Sequence, residues 1–278
     1  MLPRVSEVVA LVDELYPPLL QEEWDSNGLI CGDPDAFVSR ILVGLDPVGT
    51  LVDDALDRGA DFILTHHPLY LRGTNSVAAN SGKGRVVHRL IVSGCALMNA
   101  HTDADSATGG VAEALATQLG FTPGAPLVPS ICDGQLGIGR VCVLQEPIAL
   151  RSLAEQVAER IPASPGGVLV GGDLDSEVRR VAVSGGAGDS LFDAARDAGA
   201  DVFITADLRH HPASELLEDG GMGLINLTHW ASEVVWCPVA ARALAAGAKQ
   251  RKWDVTVEFS AIITEPWSAH LQSKGVLE

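Results

Sequence analysis

Two neighbouring histidines, His66 and His67, end an apolar stretch of the sequence, DFILTHHPLY at residues 61–70. A short apolar run that stops at a proline, here Pro68, predicts a buried strand that runs into a loop. Ligands of α/β sheets bind beyond the carboxyl ends of such strands. Because adjacent side chains of an extended segment point apart, the pair suits two metal ions, one each, better than chelation of one ion. Taken alone, the dipeptide is equally compatible with two surface histidines in a solvated loop.

Two further histidines are each followed by an acid four residues later. His101 precedes Asp105, and His229 precedes Glu233. If a helix starts near Thr228, His229 and Glu233 lie on one face of it and can reach the same centre. The competing interpretation is that Asp105 and Ser106 cap a helix that begins near Gly109.

An internal repeat connects these motifs. Residues 40–65 align with residues 180–205 without a gap, and ten positions are identical. A repeat of this length predicts two related α/β lobes. After the repeat, copy one continues with the two histidines, whereas copy two continues with Ala206 and Asp207. If the lobes face each other, the histidines and acids meet at strand ends in one cleft.

The elements that position this cleft follow from the hydrophobic pattern. We expect helices at residues 5–15, 49–59, 86–93 and about 150–160, and strands at 40–47, 61–65 and 95–101. The polar, glycine-rich passage at 22–35 reads as turns whose acids are either functional or turn caps. Residues 72–84 are small and polar and predict a mobile loop beside the site. Pro238 marks the start of a helix or a kink.

The donor set has a distinctive chemistry. Imidazole nitrogens and carboxylates without thiolates suit Zn, Fe, Mn, Co or Ni and are poor ligands for Ca. Five or six donors exceed the needs of one tetrahedral ion, and a shared carboxylate can bridge two ions. We therefore expect two divalent metal ions, identity open, held by a set of five residues: His66, His67, Asp105, His229 and Glu233. His101 lies beside them as a candidate proton shuttle or a residue that supports a ligand.

The other candidate groups receive weaker interpretations. His88 and His270 are expected to be structural or solvated. His210 and His211 follow a strand and are better placed to contact a ligand residue or a substrate than to bind metal. The glycines of SGGAGDS, residues 184–190, could cradle a phosphate at a helix start, although they match no full dinucleotide or Walker pattern. No Ser-His-Asp arrangement is readable.

Composition limits the function classes. The net charge of −17 opposes binding to nucleic acid, which depends on phosphate neutralisation. The five cysteines are scattered and form no CxxC motif, which fits a reduced cytoplasm and excludes a thiolate zinc site. No stretch approaches the roughly 18 apolar residues of a membrane span. We expect a cytoplasmic protein that does not contact a membrane.

The motifs together resemble one known family. The segments WDSNGLICGD, GADFILTHHPLY, NAHTDAD, SGGAGDS and THWASE are similar to those of the Nif-three-like (NGG-one-interacting factor) proteins, dinuclear-metal proteins also described as GTP cyclohydrolase 1 type 2 homologues. The resemblance covers nearly the whole chain. One departure is Ser26, which separates the aspartate from Asn27 where many relatives have the asparagine directly after it.

The resemblance implies a duplicated α/β fold, two metal ions between the lobes and a ring-shaped hexamer. One ion would be held by His66, Asp105 and Glu233, and the other by His67, His229 and the shared Glu233. The additional domain that some relatives carry between the lobes is not expected here. Residues 1–125 would form the first lobe, 126–233 the second, and 234–278 a C-terminal helix and strand that pack back on the lobes.

Two functions follow as alternatives. The first is a metal-dependent hydrolase in which the ions activate a water molecule against a small-molecule nucleotide or phosphoester, GTP among the candidates. The second is a non-catalytic metal-binding scaffold or regulator that acts through protein partners. A purely structural metal is disfavoured because structural zinc prefers closed, often thiolate-rich, four-ligand sets.

Overall fold

The first half of the chain alternates strands and helices. A computed structural model describes residues 1–275, so the last three residues of the predicted segment 234–278 lie outside it. The elements in order are α1 (Val5–Leu15), β1 (Gly28–Cys31), β2 (Arg40–Gly44), α2 (Gly49–Asp57), β3 (Phe62–Thr65), α3 (Gly82–Ser93), β4 (Ala96–Asn99), α4 (Thr102–Ser106) and α5 (Val111–Gln118).

The second half begins with a small hairpin and then follows the same scheme. Its elements are β5 (Val128–Pro129), β6 (Gly137–Ile138), β7 (Arg140–Ala149), α6 (Leu150–Arg160), β8 (Leu169–Gly171), β9 (Glu177–Ala187), α7 (Phe192–Asp197), β10 (Val202–Ala206), α8 (His210–Asp219), β11 (Gly223–Leu227), α9 (His229–Glu233), α10 (Cys237–Gln250) and β12 (Thr256–Phe259). Single 3₁₀ turns lie at Pro18–Leu20, Asp189–Leu191 and Val234–Trp236.

Two five-stranded sheets carry the duplication that the repeat predicts. The strand orders are β1-β4-β3-β2-β12 and β7-β9-β10-β11-β8. In each sheet three parallel strands, β2-β3-β4 or β9-β10-β11, are flanked by an antiparallel strand, β1 or β8. The opposite edges differ, because β12 is parallel to β2 whereas β7 is antiparallel to β9. The predicted fold class, two related α/β lobes, is confirmed.

Alternate residues of the central strands face different cores. In β2, Ile41 and Val43 belong to a core shared by both lobes, whereas Leu42 faces α2 and α3. In β9, the equivalent Val181 and Val183 join the shared core, and Ala182 faces α7 and α8. The period of two follows from the pleat of a strand. The inner faces of both sheets therefore bury their side chains against each other and against α1, α5, α6 and α10, which brings the strand ends of the two lobes together.

Most of the predicted elements are present. The helices at 5–15, 49–59 and 150–160 are confirmed to within a few residues, and β2-α2-β3 is the expected parallel unit. Pro238 lies in the first turn of α10. The exposed loop before Gly82 is confirmed as irregular chain, although α3 starts earlier than expected because Ser81 caps it by accepting a hydrogen bond from the amide of Gly84.

The passage at 22–35 contains a strand that the sequence did not indicate. Gly28–Cys31 pairs antiparallel with β4, and Leu29 lies opposite Met98. Gly28 and Gly32 border the strand core with φ of +111° and +132°, a conformation that side chains disfavour. The turn-forming residues of this passage hide the strand in the local sequence pattern. The strand forms because the edge of β4 offers backbone groups with which Gly28–Cys31 can pair. None of the helices in residues 1–275 has the length and apolar character that a membrane crossing requires.

Candidate metal centre

The histidine pair lies where β3 ends, as expected. His66 is fully buried and its amide donates to the carbonyl of Gly44, while His67 is partly buried and its amide donates to the carbonyl of Leu45. The backbone thus continues the pairing with β2 for two residues past the strand. This holds both rings at the carboxyl end of the sheet of the first lobe.

The second lobe contributes α9. Thr228 caps this helix by accepting a hydrogen bond from the amide of Ala231. The first and last residues, His229 and Glu233, are i, i+4 neighbours, and Nε2 of His229 lies 3.1 Å from Oε2 of Glu233. Both side chains therefore reach one point, as predicted from their spacing.

The two sets of residues meet between the lobes. Nε2 of His67 lies 2.8 Å from Oε2 of Glu233 and 3.3 Å from Nε2 of His229. Nε2 of His66 lies 3.7 Å from Oδ1 of Asp105 and 3.7 Å from Oε1 of Glu233. The geometry brings together all five residues that the sequence predicted as metal ligands, with Glu233 at the centre.

Each histidine of the cluster is anchored through Nδ1. His66 faces the carbonyl oxygen of Ala100 at 3.0 Å. The other three face carboxylates at 2.7–2.9 Å: His67 faces Asp46, His101 faces Asp25, and His229 faces Asp207. An acceptor at Nδ1 places the ring proton there and leaves the Nε2 lone pair directed into the cluster, the arrangement that metal-bound histidines favour.

The three carboxylates behind the histidines were not predicted as site residues. Asp25 lies in the passage at 22–35, whose acids had two interpretations, as functional residues or as turn caps. Asp25 also accepts hydrogen bonds from the amide and the hydroxyl of Thr102. Asp46 lies two residues after β2, as His67 lies two residues after β3, so the same strand-end signal could have found it. Asp207 occupies the repeat position of His67 and has φ of +51°, uncommon for a residue other than glycine.

The cluster also fits a cation electrostatically. Burial raises the pKa of Glu233, but His67, His229 and His66 outweigh this and hold it well below its usual range. Burial and the neighbouring Glu233 raise the pKa of Asp105 to about 7. Burial lowers the pKa of His67, yet Glu233 and Asp46 raise it to about 10. The carboxylates therefore favour protonation of the imidazoles, and a divalent ion would supply the same positive charge in place of the protons.

One buried atom of the cluster, Nε2 of His66, has no hydrogen-bond partner. An unpaired buried polar atom costs about 1–3 kcal/mol, so such atoms call for a ligand. Two groups of three residues could each hold a metal ion, because the ligand atoms within each group lie within 4.8 Å of one another. The first group is His67, His229 and Glu233, and the second is His66, His67 and His101.

One part of the expected ligand set differs in its geometry. One of these two groups contains His101 where the resemblance implied Asp105. Asp105 instead contacts the cluster through His66. The capping interpretation of Asp105 is wrong, because Asp105 lies inside α4 and the next helix, α5, starts after Gly110 without a side-chain cap.

The glycines of residues 184–190, considered above as a phosphate cradle, lie beside Glu233. They precede a 3₁₀ turn and the six-residue helix α7. A Cβ on Gly186 would lie 2.4 Å from Oε1 of Glu233, and one on Gly185 would lie 3.1 Å from Cγ of the same residue. The glycines therefore give Glu233 the space to enter the cluster.

The remaining histidines lie on the surface. His88 is exposed on α3 and His270 is exposed in the C-terminal tail, as expected. His210 and His211 lie at the exposed start of α8, where their ring centroids are 5.1 Å apart.

Comparison with known proteins places this arrangement in context. The model of the family Duf34/NIF3 (NGG1p interacting factor 3) matches residues 3–266. A Streptomyces coelicolor protein named GTP cyclohydrolase 1 type 2 homolog is 50% identical over 274 residues, covering 98% of this chain and 96% of its own. A Mycobacterium bovis protein of the same name is 32% identical over 373 aligned positions, covering 95% and 97% of the two chains, so it contains residues that this chain lacks.

Solved structures agree on the fold. The crystal structure of a Bacillus cereus protein related to NIF3 superposes with a TM-score of 0.90, covering 96% of this chain and 99% of that one, at 23% identity. At this identity the likeness concerns the fold.

Proposed function

The chain belongs to the Duf34/NIF3 family, and on that premise we propose that it is a dinuclear metal-dependent hydrolase that acts on a nucleotide or phosphoester. The observation that carries the proposal is the convergence of three Nε2 atoms and two carboxylates between the lobes, with Nε2 of His66 buried and unpaired. Donors that are already aimed at one point before a ligand arrives need little rearrangement to bind it.

The ligand set divides into two halves that share Glu233. His67, His229 and Glu233 would hold one ion, since their ligand atoms lie within 4.8 Å of one another. His66, Asp105 and Glu233 would hold the other, since His66 contacts both carboxylates at 3.7 Å. Nitrogen and oxygen donors of this kind suit Zn, Fe, Mn, Co or Ni.

Metal-dependent hydrolysis also needs a group beside the ions that transfers protons. Bound divalent ions of this kind lower the pKa of a water molecule and polarise a phosphoryl or ring carbon. His101 lies beside the ligands, with its ring centroid 5.1 Å from that of His66. Its Nδ1 is paired with Asp25, a carboxylate whose pKa burial raises but which His101 and Thr102 hold well below its usual range. The pairing fixes the orientation of the ring, so His101 is placed to act as a general acid–base group beside the ligands.

The proposed substrate class rests on the chemistry of a metal-activated water and on the names of two relatives. The Streptomyces and Mycobacterium relatives carry the name GTP cyclohydrolase 1 type 2 homolog. Nucleotides combine a phosphate chain and a ring, and both are groups that a metal-activated water can attack. GTP is therefore the first substrate to test, together with a panel of phosphoesters.

The test is turnover by metal-reconstituted protein beside Glu233→Gln, which keeps the size of the side chain and removes its charge. A Glu215→Gln variant is the matched control, because Glu215 is exposed on α8. Turnover that is lost in Glu233→Gln and kept in the control supports hydrolysis at the metal centre. If wild-type protein binds two ions per chain and turns over none of the compounds, the scaffold function replaces the hydrolase.

We also propose that the protein assembles as the ring-shaped hexamer implied by the family resemblance. Light scattering after size-exclusion chromatography measures the mass directly. A species of six chains is expected, and a monomer would contradict the proposal.

A further inference from the structure

A cavity of about 440 Å³ opens beside the metal centre on the first lobe. His67 and Asp46 are among its lining residues, so the ring that faces Glu233 through Nε2 also borders this space. Cavities of this size hold small organic molecules. Its position next to the cluster makes it a continuation of the site.

One wall of the cavity is cationic. Lys83, Arg85 and Arg89 line it, all from α3. Arg89 forms an ion pair with Asp53 and donates to the carbonyl of Gly49. Among the residues that the structure describes, Lys83 and Arg85 lie in no ion pair with a carboxylate. Both are exposed, and Nζ of Lys83 lies 5.5 Å from the centroid of the Tyr70 ring.

This concentration of positive charge is unusual for the chain. The protein carries 36 acidic and 19 basic residues, yet residues 62–102 contain no Asp or Glu and include four Lys or Arg. The only carboxylate that lines the cavity, within the part of the chain described, is Asp46. Its oxygens are engaged by Nδ1 of His67 and by the hydroxyl of Thr264. The cavity thus presents a local positive charge on an acidic protein.

Two helix starts add to this charge. Gly49 opens α2 and Gly82 opens α3, and both line the cavity. The first amide groups of a helix have no partner within it and favour anions. Pro47, Leu69 and Val86 add apolar lining to the same cavity. A ligand with an anionic group and an apolar body matches this combination.

We infer that this cavity binds the phosphate group of a small phosphorylated substrate through Lys83 and Arg85, beside the metal centre. The inference rests on the proposed function, since it describes the substrate of that centre. A small molecule fits better than a nucleic acid, because the space is bounded and the rest of the protein is acidic.

The test is a binding measurement on metal-loaded protein with GMP, guanosine and inorganic phosphate as probes. Lys83→Ala/Arg85→Ala is expected to weaken GMP binding at least about tenfold, the order of effect of losing charged hydrogen bonds. Guanosine binding is expected to change little. The matched control is Arg179→Ala/Lys249→Ala, which removes one arginine and one lysine from exposed positions elsewhere and should bind GMP as wild type does. The exchanged pair Lys83→Arg/Arg85→Lys should restore most of the affinity.

Several outcomes would overturn the inference. They are equal GMP binding by Lys83→Ala/Arg85→Ala and wild type, an equal loss in the control pair, and the absence of GMP binding to wild type. Tighter binding of a short single-stranded oligonucleotide than of GMP, with the same dependence on Lys83 and Arg85, would replace the small molecule with nucleic acid.

The same measurement separates this inference from the hydrolase. Glu233→Gln should lose turnover while its GMP binding keeps its dependence on Lys83 and Arg85. Binding of that kind without turnover in wild type would reject only the hydrolase. Turnover with a KM that is unchanged in Lys83→Ala/Arg85→Ala would reject only the cavity.

Discussion

Nε2 of His67 lies 3.3 Å from Nε2 of His229, although His67 belongs to the first lobe and His229 to the second. The Nδ1 atom of each ring faces its own carboxylate. Two lone pairs at this distance repel each other unless a proton or a metal ion lies between or beside them. The contact therefore joins the lobes and creates the demand for positive charge at the centre.

Metal binding should strengthen as pH rises. Burial lowers the pKa of both histidines, but Glu233 and the paired carboxylates raise them to about 10 for His67 and about 9 for His229. Without metal both rings are protonated at neutral pH, so an ion must displace protons to bind. Below these pKa values, we expect the affinity to rise about tenfold per pH unit for each proton displaced. Calorimetry in buffers of different ionisation enthalpy measures the proton count, and a count of zero would contradict the prediction.

Replacing Asp207 with glycine should separate metal affinity from stability. Glycine adopts the φ of +51° without cost, so Asp207→Gly is expected to fold as stably as wild type or slightly more so. Loss of the carboxylate behind His229 should weaken metal binding about 10–100-fold. Lys252→Gly is the control, because Lys252 has φ of +57° and should gain the same backbone relief without a loss of metal. Equal metal affinity in both variants would remove Asp207 from the site.

Adding one methyl group at Gly186 should displace Glu233. The Cβ of Gly186→Ala would lie 2.4 Å from Oε1 of Glu233, so we expect the protein to lose metal and stability. Gly199→Ala introduces the same strain, since the two φ values are +65° and +67°, but its Cβ has only Arg180 at 4.0 Å. This control should lose about 1–2 kcal/mol of stability and keep its metal. Metal analysis and thermal unfolding of both variants provide the comparison, and full metal content in Gly186→Ala would be the contrary result.

Only one thiol should react quickly in the folded protein. Cys132 is exposed, whereas Cys95, Cys142 and Cys237 are buried, and Cys31 is partly buried with a pKa that burial raises. Burial raises the pKa of Cys95 to about 12 and that of Cys142 to about 11, so their thiolate fractions are small at pH of about 8. A chromogenic disulfide reagent should titrate one fast thiol per chain, and Cys132→Ser should abolish that phase. Two or more fast thiols in native protein would show that the packing is looser than described.

The sequence alone predicted several of the helices and strands, the duplication and five residues that the structure brings together. It could do so because hydrophobic period and chain length define strands and helices locally. The repeat also predicted that the strand before His229 is equivalent to the strand before His101, which neighbours the strand that carries His66 and His67. Parallel strands end at the same edge of a sheet, so two lobes that face each other bring both sets of residues together.

Only the tertiary structure decided which carboxylates accept hydrogen bonds from Nδ1 of His67, His101 and His229. Asp25, Asp46 and Asp207 lie 76, 21 and 22 residues from the histidines that they anchor, and no local period encodes such pairs. The strand at Gly28–Cys31 likewise depends on the free edge of β4, which the local pattern does not show. The basic cavity forms because the start of α3 folds against the loop after β2. Such contacts join distant positions of the chain, so they form and stabilise the structure only once both lobes have packed around the shared core.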